Sequence, residues 1–390
     1  MNNSKIKKIK KNKIIIDARL YGPFAKGLGR YTQEIVDNII KIDRDNDYLI
    51  FLGKNNYDEF VLDKEFSNIK KKLVNIKLYS LKEQILLPFY IYREKADLVH
   101  FPHFNVPVFC SSKFIVTIHD LILTKFKTLR ATTLSPFIYN IKNFFYKLVI
   151  KTALKKSEKI ITVSNFTKKD IIEQFKVDEK KIKVIYEGVA NLDKGSDSLF
   201  VAKLNQNDIL KDYHISSPFL LYVGNAYPHK NLEFLINNFI EFNKKNIEFK
   251  LVMVGKEDYF YKKLKNKYKD NNIIFTGYVS DEKLIILYQR ASVYVFPSLY
   301  EGFGLPPLEA LYNSCPVLSS GVSSMPEILE DCALYFDPLD NSDFLNKLTL
   351  IIRDNNLRNK MILDGKKLVK KYNWWECSFS TYKQYLKVLN

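Results

Sequence analysis

One stretch in the second half of the chain, YVFPSLYEGFGLPPLEALYNSCPV, constrains the fold more than any other. Its apolar run of branched and aromatic residues, Val293–Phe296, predicts a buried strand. Gly302 and Gly304 predict a turn whose backbone can approach a ligand closely. Pro306 and Pro307 suit the first turn of a helix, where no backbone N–H is needed. A strand that passes through a glycine turn into a helix is the repeating unit of an α/β fold.

The predicted start of this helix is also a candidate ligand site. The backbone amides of Phe303, Gly304 and Leu305 would point outward at the positive end of the helix, where an anion binds. Glu301 precedes the turn and Glu309 lies inside the helix, so each can accept hydrogen bonds from hydroxyl groups that accompany the anion. The alternative is a capped helix whose two acids only complement its dipole.

Strand and helix patterns alternate along the chain, which predicts two doubly wound α/β domains. We place the first domain at 1–190 and the second at 215–374. The polar, irregular segment 191–214 is the predicted connection between them. The length of 390 residues suits two domains of ordinary size.

The segment EGFGLPPLEA resembles the E-x7-E signature of retaining glycosyltransferases of family 4, and the resemblance covers nearly the whole chain. It implies the GT-B fold, in which two Rossmann-like domains face each other across a cleft. It also implies that Glu301 holds hydroxyls of the donor sugar, that Glu309 holds the ribose, and that the amides at 302–305 hold the sugar and the diphosphate. The final segment, 375–390, is similar to the helix that crosses back to the first domain in these enzymes.

Two segments of the first half resemble the same family. Gly27 and Gly29 match the G-x-G-R-Y loop that faces the donor diphosphate across the cleft, and a plain tight turn is the alternative. His119 ends a strand of branched residues, and the resemblance places it against the donor sugar near the reacting centre. A histidine that only hydrogen-bonds the backbone is the alternative interpretation.

Two segments of the second half complete the predicted donor site. Lys230 lies at a helix start in a P-x-K-N-L context, and the resemblance implies that it neutralises the leaving diphosphate; a surface lysine is the alternative. Family members often carry an arginine upstream, but this chain has Asn225 or His229 near those places, so Lys230 would carry more of the charge. The backbone at Tyr278 and Val279 is implied to contact the nucleobase.

Two acidic patterns are assigned structural roles. Asp43, Asp45 and Asp47 mimic the DxD metal motif, but they precede a strand instead of ending one. We therefore expect a solvated turn there, with no metal and no other cofactor. Ser324 and Glu327 have the spacing of a capping box, which makes Glu327 a structural residue.

The net charge is +18, from 61 Lys and Arg against 43 Asp and Glu, which favours an anionic partner. Lysines alternate with aromatic residues at 136–156, as expected of a helix that lies on an acidic membrane surface. A core-packed helix with a solvated basic face is an equal alternative. Because no apolar run is long enough to span a bilayer, we expect any membrane contact to be peripheral.

The cysteines and the amino-terminal segment bear on location. The spacing of the four cysteines is neither paired nor metal-like, which indicates reduced thiols. The basic start of the chain passes into a short strand instead of the apolar region of a signal peptide. We therefore expect a cytoplasmic protein with peripheral contact to the inner face of the cell membrane.

The resemblance implies a retaining hexosyltransferase, which we expect to be metal-independent, in which Lys230 and the helix start stabilise the departing diphosphate. His119 and Glu301 would orient the sugar. No residue is placed as a nucleophile for double displacement, so the resemblance implies a front-face route in which the acceptor attacks beside the leaving phosphate.

The predicted donor is a nucleotide-sugar, with GDP-mannose preferred. The predicted acceptor is a lipid-linked saccharide of a surface polysaccharide such as lipopolysaccharide or capsule. One alternative is a basic nucleic-acid-binding protein, but neither a recognition helix nor a base-stacking motif is evident, so we expect no nucleic-acid partner. The other alternative is a GT-B relative with a different reaction, a phosphorylase or an epimerase.

Overall fold

The computed structural model describes residues 11–63, 65–126, 136–189, 206–215, 218–244 and 249–390, without the side chains of 136–140, 142 and 206–207. Residues 191–205 of the predicted connection at 191–214 therefore lie outside the described residues. The rest of the connection includes a short helix, Gln206–Asp212.

The strands in chain order are β1 Lys13–Asp17, β2 Asp47–Leu52, β3 Ile69–Leu73, β4 Leu98–Phe101, β5 Phe114–Ile118, β6 Lys159–Thr162, β7 Ile182–Val184, β8 Phe219–Val223, β9 Lys250–Val254, β10 Ile273–Gly277, β11 Val293–Phe296, β12 Val317–Ser320 and β13 Ala333–Phe336.

The α-helices are α1 Lys26–Ile42, α2 Leu81–Glu94, α3 Ile122–Lys125, α4 Pro136–Lys156, α5 Asn165–Phe175, α6 Gln206–Asp212, α7 Leu232–Asn243, α8 Tyr259–Lys267, α9 Asp281–Arg290, α10 Leu305–Tyr312, α11 Met325–Leu329, α12 Asn341–Arg353, α13 Asn355–Leu368 and α14 Trp374–Leu389. None of the helices in the described ranges is long and apolar enough to cross a membrane.

Two parallel sheets organise the molecule, one in each domain. The first has the order β3-β2-β1-β4-β5-β6-β7 and the second the order β10-β9-β8-β11-β12-β13. Both repeat the strand order of a Rossmann fold, which reverses direction between its first and fourth strands. These reversal points, β1/β4 and β8/β11, are where ligands bind in such sheets, at the carboxyl ends of the strands.

The first sheet is buried on both faces, as a parallel sheet requires. Along β1, Ile14 and Ile16 pack against the layer of α1 and α14, while Ile15 packs against the layer of α2 and α4. The last helix, α14, thus completes the core of the first domain. The second sheet and its helices form a separate continuous core.

A hydrogen-bonded turn forms at the acidic run before β2. The carboxylate of Asp43 is buried and accepts hydrogen bonds from the backbone N–H of Asp45 at 2.9 Å and the hydroxyl of Tyr48 at 2.7 Å. The side-chain amide of Asn46 donates a further bond at 2.8 Å. The prediction of a solvated turn is therefore wrong for Asp43, whose carboxylate is used to build the turn.

Glu327 joins the two domains. Ser324 precedes α11 but makes no side-chain cap there, so the predicted capping box is wrong. The carboxylate of Glu327 instead accepts hydrogen bonds from the backbone N–H groups of Asn165 and Phe166, at 2.7 and 2.9 Å. Those residues begin α5 in the first domain, where a carboxylate complements the helix dipole. Ser164 caps α5, accepting the N–H of Thr167 at 3.1 Å.

Candidate active site

The predicted site residues lie at the carboxyl edges of both sheets. Lys230 follows β8 and Glu301 follows β11, which are neighbouring strands at the reversal point of the second sheet. His119 follows β5 of the first sheet, and Gly27 and Gly29 follow β1. Because the two carboxyl edges face each other, these segments meet in one cleft.

The turn before α10 has the geometry that its glycines predicted. Gly304 is the N-cap of α10 with φ of 98°, and a Cβ there would lie 2.4 Å from Cε of Met325. A Cβ on Gly302 would lie 1.9 Å from the carbonyl oxygen of His119. Ser164 of the first domain also donates a hydrogen bond to the Gly302 carbonyl at 2.6 Å. The close approach of the two domains at this turn therefore requires glycine.

Lys230 and Glu301 form an ion pair at the start of the turn. Their side chains are largely buried, and Nζ of Lys230 lies 2.5 Å from Oε1 of Glu301. His229, the neighbour of Lys230, is buried, and burial followed by the nearby Lys230 charge lowers its pKa to about 4. His229 is therefore neutral at pH 7, which leaves Lys230 as the charged residue of this segment, as the sequence suggested.

Glu309 is bound by groups from both domains. Its carboxylate accepts a hydrogen bond from the guanidinium of Arg30 in the first turn of α1, and one from the hydroxyl of Tyr288 at 3.2 Å. Arg30 also lies 3.6 Å from the carboxylate of Asp281. Arg30 was missed as a site residue, although its place in the G-x-G-R-Y loop was the available signal.

His119 has both ring nitrogens engaged. Nδ1 lies 2.9 Å from a carboxylate oxygen of Glu187, and Nε2 lies 2.9 Å from the carbonyl oxygen of Pro102. Burial alone would lower the pKa of His119, but the hydrogen bond and charge of Glu187 raise it above its ordinary value. The ring is thus fixed by the protein on both nitrogens. Sequence reasoning gave Glu187 no role, and the structure makes it the partner of His119.

The two glycines of the first domain differ in their surroundings. Both lie in the first turn of α1, so the predicted glycine loop is already helical there. A Cβ on Gly29 would lie 1.9 Å from the carbonyl oxygen of Gly22, so Gly29 permits close backbone packing. A Cβ on Gly27 would meet nothing within 4 Å. Gly27 is therefore exposed at the helix start, and its surroundings do not require glycine.

The remaining predicted residues extend along the edge of the second sheet. Asn225 lies in the loop after β8, where its carbonyl oxygen accepts the hydroxyl of Tyr222 at 2.7 Å. Tyr278 and Val279 follow β10, which is separated from β11 by two strands, or about 14 Å across the sheet. Tyr278 is exposed and Val279 is buried. No group of three or more His, Cys, Asp or Glu residues in the described ranges could hold a metal ion.

Comparison with known proteins identifies the family. Residues 27–190 match the family model described as Glycosyltransferase Family 4, and residues 205–368 match the model described as Glycosyl transferases group 1. The two matches occupy the two domains in turn. The chain belongs to the family 4 glycosyltransferases. The glycosyltransferase has the GT-B fold that the sequence predicted, and nucleic-acid binding is not favoured.

Relatives of this glycosyltransferase include mannosyltransferases. It is 25% identical over 377 residues to O-antigen chain mannosyltransferase B of Escherichia coli, covering 92% of this chain and 95% of that protein. It is 32% identical over 251 residues to O-antigen chain mannosyltransferase RfbU of Salmonella typhimurium, covering 60% and 64%. Among solved structures, sucrose-phosphate synthase from Thermosynechococcus elongatus superposes with a TM-score of 0.72 at 18% identity, covering 97% of this chain and 99% of that one.

Proposed function

We propose that this glycosyltransferase transfers mannose from GDP-mannose to a lipid-linked saccharide with retention of anomeric configuration and without a metal ion. The observation that carries the proposal is the buried Lys230–Glu301 pair beside the start of α10. It places a cation, a carboxylate and the positive end of a helix within one small region. A sugar diphosphate needs all three kinds of group.

The leaving group is held by positive charge. In the proposed complex the diphosphate lies at the amides of Phe303, Gly304 and Leu305, and Lys230 turns from Glu301 toward it. Glu301 is then free to accept hydrogen bonds from the hydroxyls of the mannose, and Glu309 from those of the ribose. Charge stabilisation by groups already in place is the largest catalytic term available to such a site.

The bond changes occur on one face of the sugar. The bond between the anomeric carbon and the diphosphate oxygen breaks as the bond to the acceptor oxygen forms on the same side. The proton of the acceptor hydroxyl passes to an oxygen of the departing phosphate. His119 is held by Glu187, and Glu301 binds the sugar hydroxyls in the proposed complex, so neither is assigned the role of nucleophile. His119 has the positioning role here, through its fixed ring and the backbone that touches Gly302.

The donor and acceptor follow from the relatives and the surface of the chain. Both reported relatives are named as O-antigen chain mannosyltransferases, which supports mannose as the sugar and a surface polysaccharide as the product. Lipid-linked acceptors are held at membranes, and the exposed lysines of α4 suit contact with the acidic inner face of the cell membrane. The predicted cytoplasmic location is part of this proposal.

The test is transfer from labelled nucleotide-sugars. Purified protein is incubated with GDP-mannose, GDP-fucose, UDP-glucose or UDP-N-acetylglucosamine and a short lipid-linked acceptor, with and without EDTA. We expect transfer from GDP-mannose alone, an α-linked product by NMR, and no loss with EDTA. A β-linked product would exclude retention, and loss of activity on chelation would exclude metal independence. Transfer from a different nucleotide-sugar would correct the donor.

A further inference from the structure

The outer layer of the first domain exposes an unusual amount of apolar surface on α2. Leu81, Ile85, Phe89 and Tyr92 recur at the spacing of one helix face and are between 53% and 72% exposed. The opposite face of α2 carries the core residue Leu87. The solvent face of a surface helix is normally polar, so α2 is apolar on both sides. This second face needs a partner.

The neighbouring helix α4 repeats the pattern. Ile141, Phe144, Phe145 and Leu148 stand at i, i+3, i+4 and i+7, and are between 41% and 66% exposed. Helices α2 and α4 pack on the same face of the first sheet, in one apolar core. Their exposed faces therefore belong to the same side of the molecule.

The loop that contains Phe109 joins the two helices. The backbone N–H of Val108 donates to the side chain of Gln84 on α2 at 2.9 Å, and Lys156 at the end of α4 donates to the Val108 carbonyl at 2.9 Å. The next residue, Phe109, is 72% exposed. The loop is thus tied to both helices, with an aromatic ring directed outward between them. We call α2, Phe109 and α4 the two-helix surface.

The free charges of the two-helix surface are positive. Helix α4 contains no acidic residue, and its exposed lysines include Lys147 and Lys151. Neither glutamate of α2 presents a free charge, because Glu83 is buried against Arg19 and Glu94 is bound by Lys13 and Lys72. The exposed cations of α2 and its end are Lys82, Arg93 and Lys95. Aromatic and aliphatic side chains beside basic ones match the boundary of an anionic bilayer.

The two-helix surface leads to the cleft. Tyr79, two residues before α2, is held by a hydrogen bond from its backbone N–H to the carboxylate of Glu83 at 2.7 Å. Its ring lies edge-on to His103, which follows β4 at the carboxyl edge of the first sheet. One end of the surface therefore lies at the first-domain side of the cleft.

We propose that the two-helix surface docks on an anionic phospholipid bilayer, with α2 as a principal contact, and brings the cleft to its lipid-linked acceptor. The acceptor part of this statement rests on the proposed function. The binding part does not, because it concerns a lipid surface alone.

The test compares variants that place a glutamate on the surface, by vesicle co-sedimentation. Vesicles of phosphatidylglycerol and phosphatidylethanolamine are compared with pure phosphatidylcholine. We expect binding of the native protein to the anionic vesicles only. Ile85→Glu and Phe89→Glu on α2 should lower the partition coefficient at least tenfold, and Lys82→Glu about fivefold or more. The matched control is Leu363→Glu, an exposed leucine on α13 of the second domain, which should bind as the native protein does.

The outcomes separate this inference from the proposed function. Donor binding and transfer to a short soluble acceptor should be unchanged in Phe89→Glu, which shows that the variant is folded. Native partition of both α2 variants would overturn the docking surface. Equal binding to neutral vesicles would overturn the role of charge. A native dimer that Phe89→Glu dissociates would assign the surface to a second copy of the chain and would also overturn it. Vesicle binding without any sugar transfer would contradict the proposed function alone.

Discussion

The two domains share one strand order, yet their cleft edges and outer faces differ. At the carboxyl edge of the second sheet, Lys230 pairs with Glu301 of the same domain, and Glu309 pairs with Arg30 of the first domain. The corresponding charges of the first domain are largely enclosed by the protein, where the carboxylates of Asp17 and Glu83 both pair with Arg19. In the described ranges the exposed large apolar side chains are mostly on the first domain, and those of the second are scattered.

This difference shows how one topology supports two tasks. The strand order fixes where a ligand binds, and the loops and helix faces fix what is bound. The second domain places charge where a diphosphate would lie. In the first domain the ionic groups near the cleft bind one another and fix its own loops. Apolar helix faces of this domain stay exposed and can bind a partner. Substitutions in each domain test the two tasks separately.

Lys230→Ala tests the charged edge of the second domain. The variant removes the cation assigned to the leaving diphosphate, and we expect kcat to fall about 10²–10³-fold, as for other single groups that stabilise developing charge. The measurement is transfer of labelled mannose under saturating donor. Lys267→Ala, which removes a surface lysine paired with Glu233, is the control and should be fully active. Near-native turnover of Lys230→Ala would break the assignment.

Leu87→Ala and Leu86→Ala test the two faces of α2. Leu87 is fully buried and its neighbour Leu86 is 41% exposed. We expect Leu87→Ala to lower the free energy of unfolding by about 2–5 kcal/mol through cavity formation. Leu86→Ala should change it by less than about 1 kcal/mol, because it loses little packing. Urea unfolding of both variants makes the comparison, and equal losses would mean that the exposed position 86 also belongs to the core.

Arg30→Ala tests the contact between the domains at Glu309. The variant removes a cation from the diphosphate side of the cleft and one link between the domains, so we expect the KM for the donor to rise about tenfold with a smaller change in kcat. Combined with Glu309→Gln, the effects should be non-additive, because the two side chains are in direct contact. Arg44→Ala, in a surface pair with Glu65, is the matched control. Additive effects would show that the two residues act independently.

Glu187→Gln tests the ion pair that fixes His119. Because Glu187 raises the pKa of His119 in the folded protein, the pair adds stability below the unfolded pKa of about 6.5 and loses it as pH rises through the folded pKa. We expect the variant to be less stable by on the order of 1 kcal/mol at pH 6, with the difference shrinking toward pH 9. Urea unfolding across this range measures it. A difference that grows with pH would contradict the raised pKa.

The sequence predicted the fold and the local geometry of the turn before α10, for a physical reason. Parallel strands buried on both faces leave continuous apolar runs such as Val293–Phe296, and the turn before α10 needs glycine at 302 and 304 to avoid backbone and side-chain clashes. Local chemistry therefore determines local structure there. Lys230 and Glu301 follow adjacent strands, so the parallel-sheet topology alone brings them together.

The contacts that sequence reasoning missed connect distant parts of the chain. Arg30 meets Glu309 across 279 positions, and His119 meets Glu187 across 68. Glu327 has capping-box spacing, yet it bonds a helix of the other domain. The outer face of α2 was also missed, since apolar spacing shows that a helix has an apolar face but does not show which face packs on the sheet. Such pairings depend on how the domains meet.

The most direct test of the central claim is the crystal structure of the protein with GDP-mannose or GDP bound. We predict the diphosphate within hydrogen-bonding distance of the amides of 303–305, with Nζ of Lys230 moved from Glu301 to a phosphate oxygen and Glu309 bound to the ribose. A diphosphate bound elsewhere, or a cleft in which Lys230 and Arg30 keep their carboxylate partners at saturating nucleotide, would contradict the account.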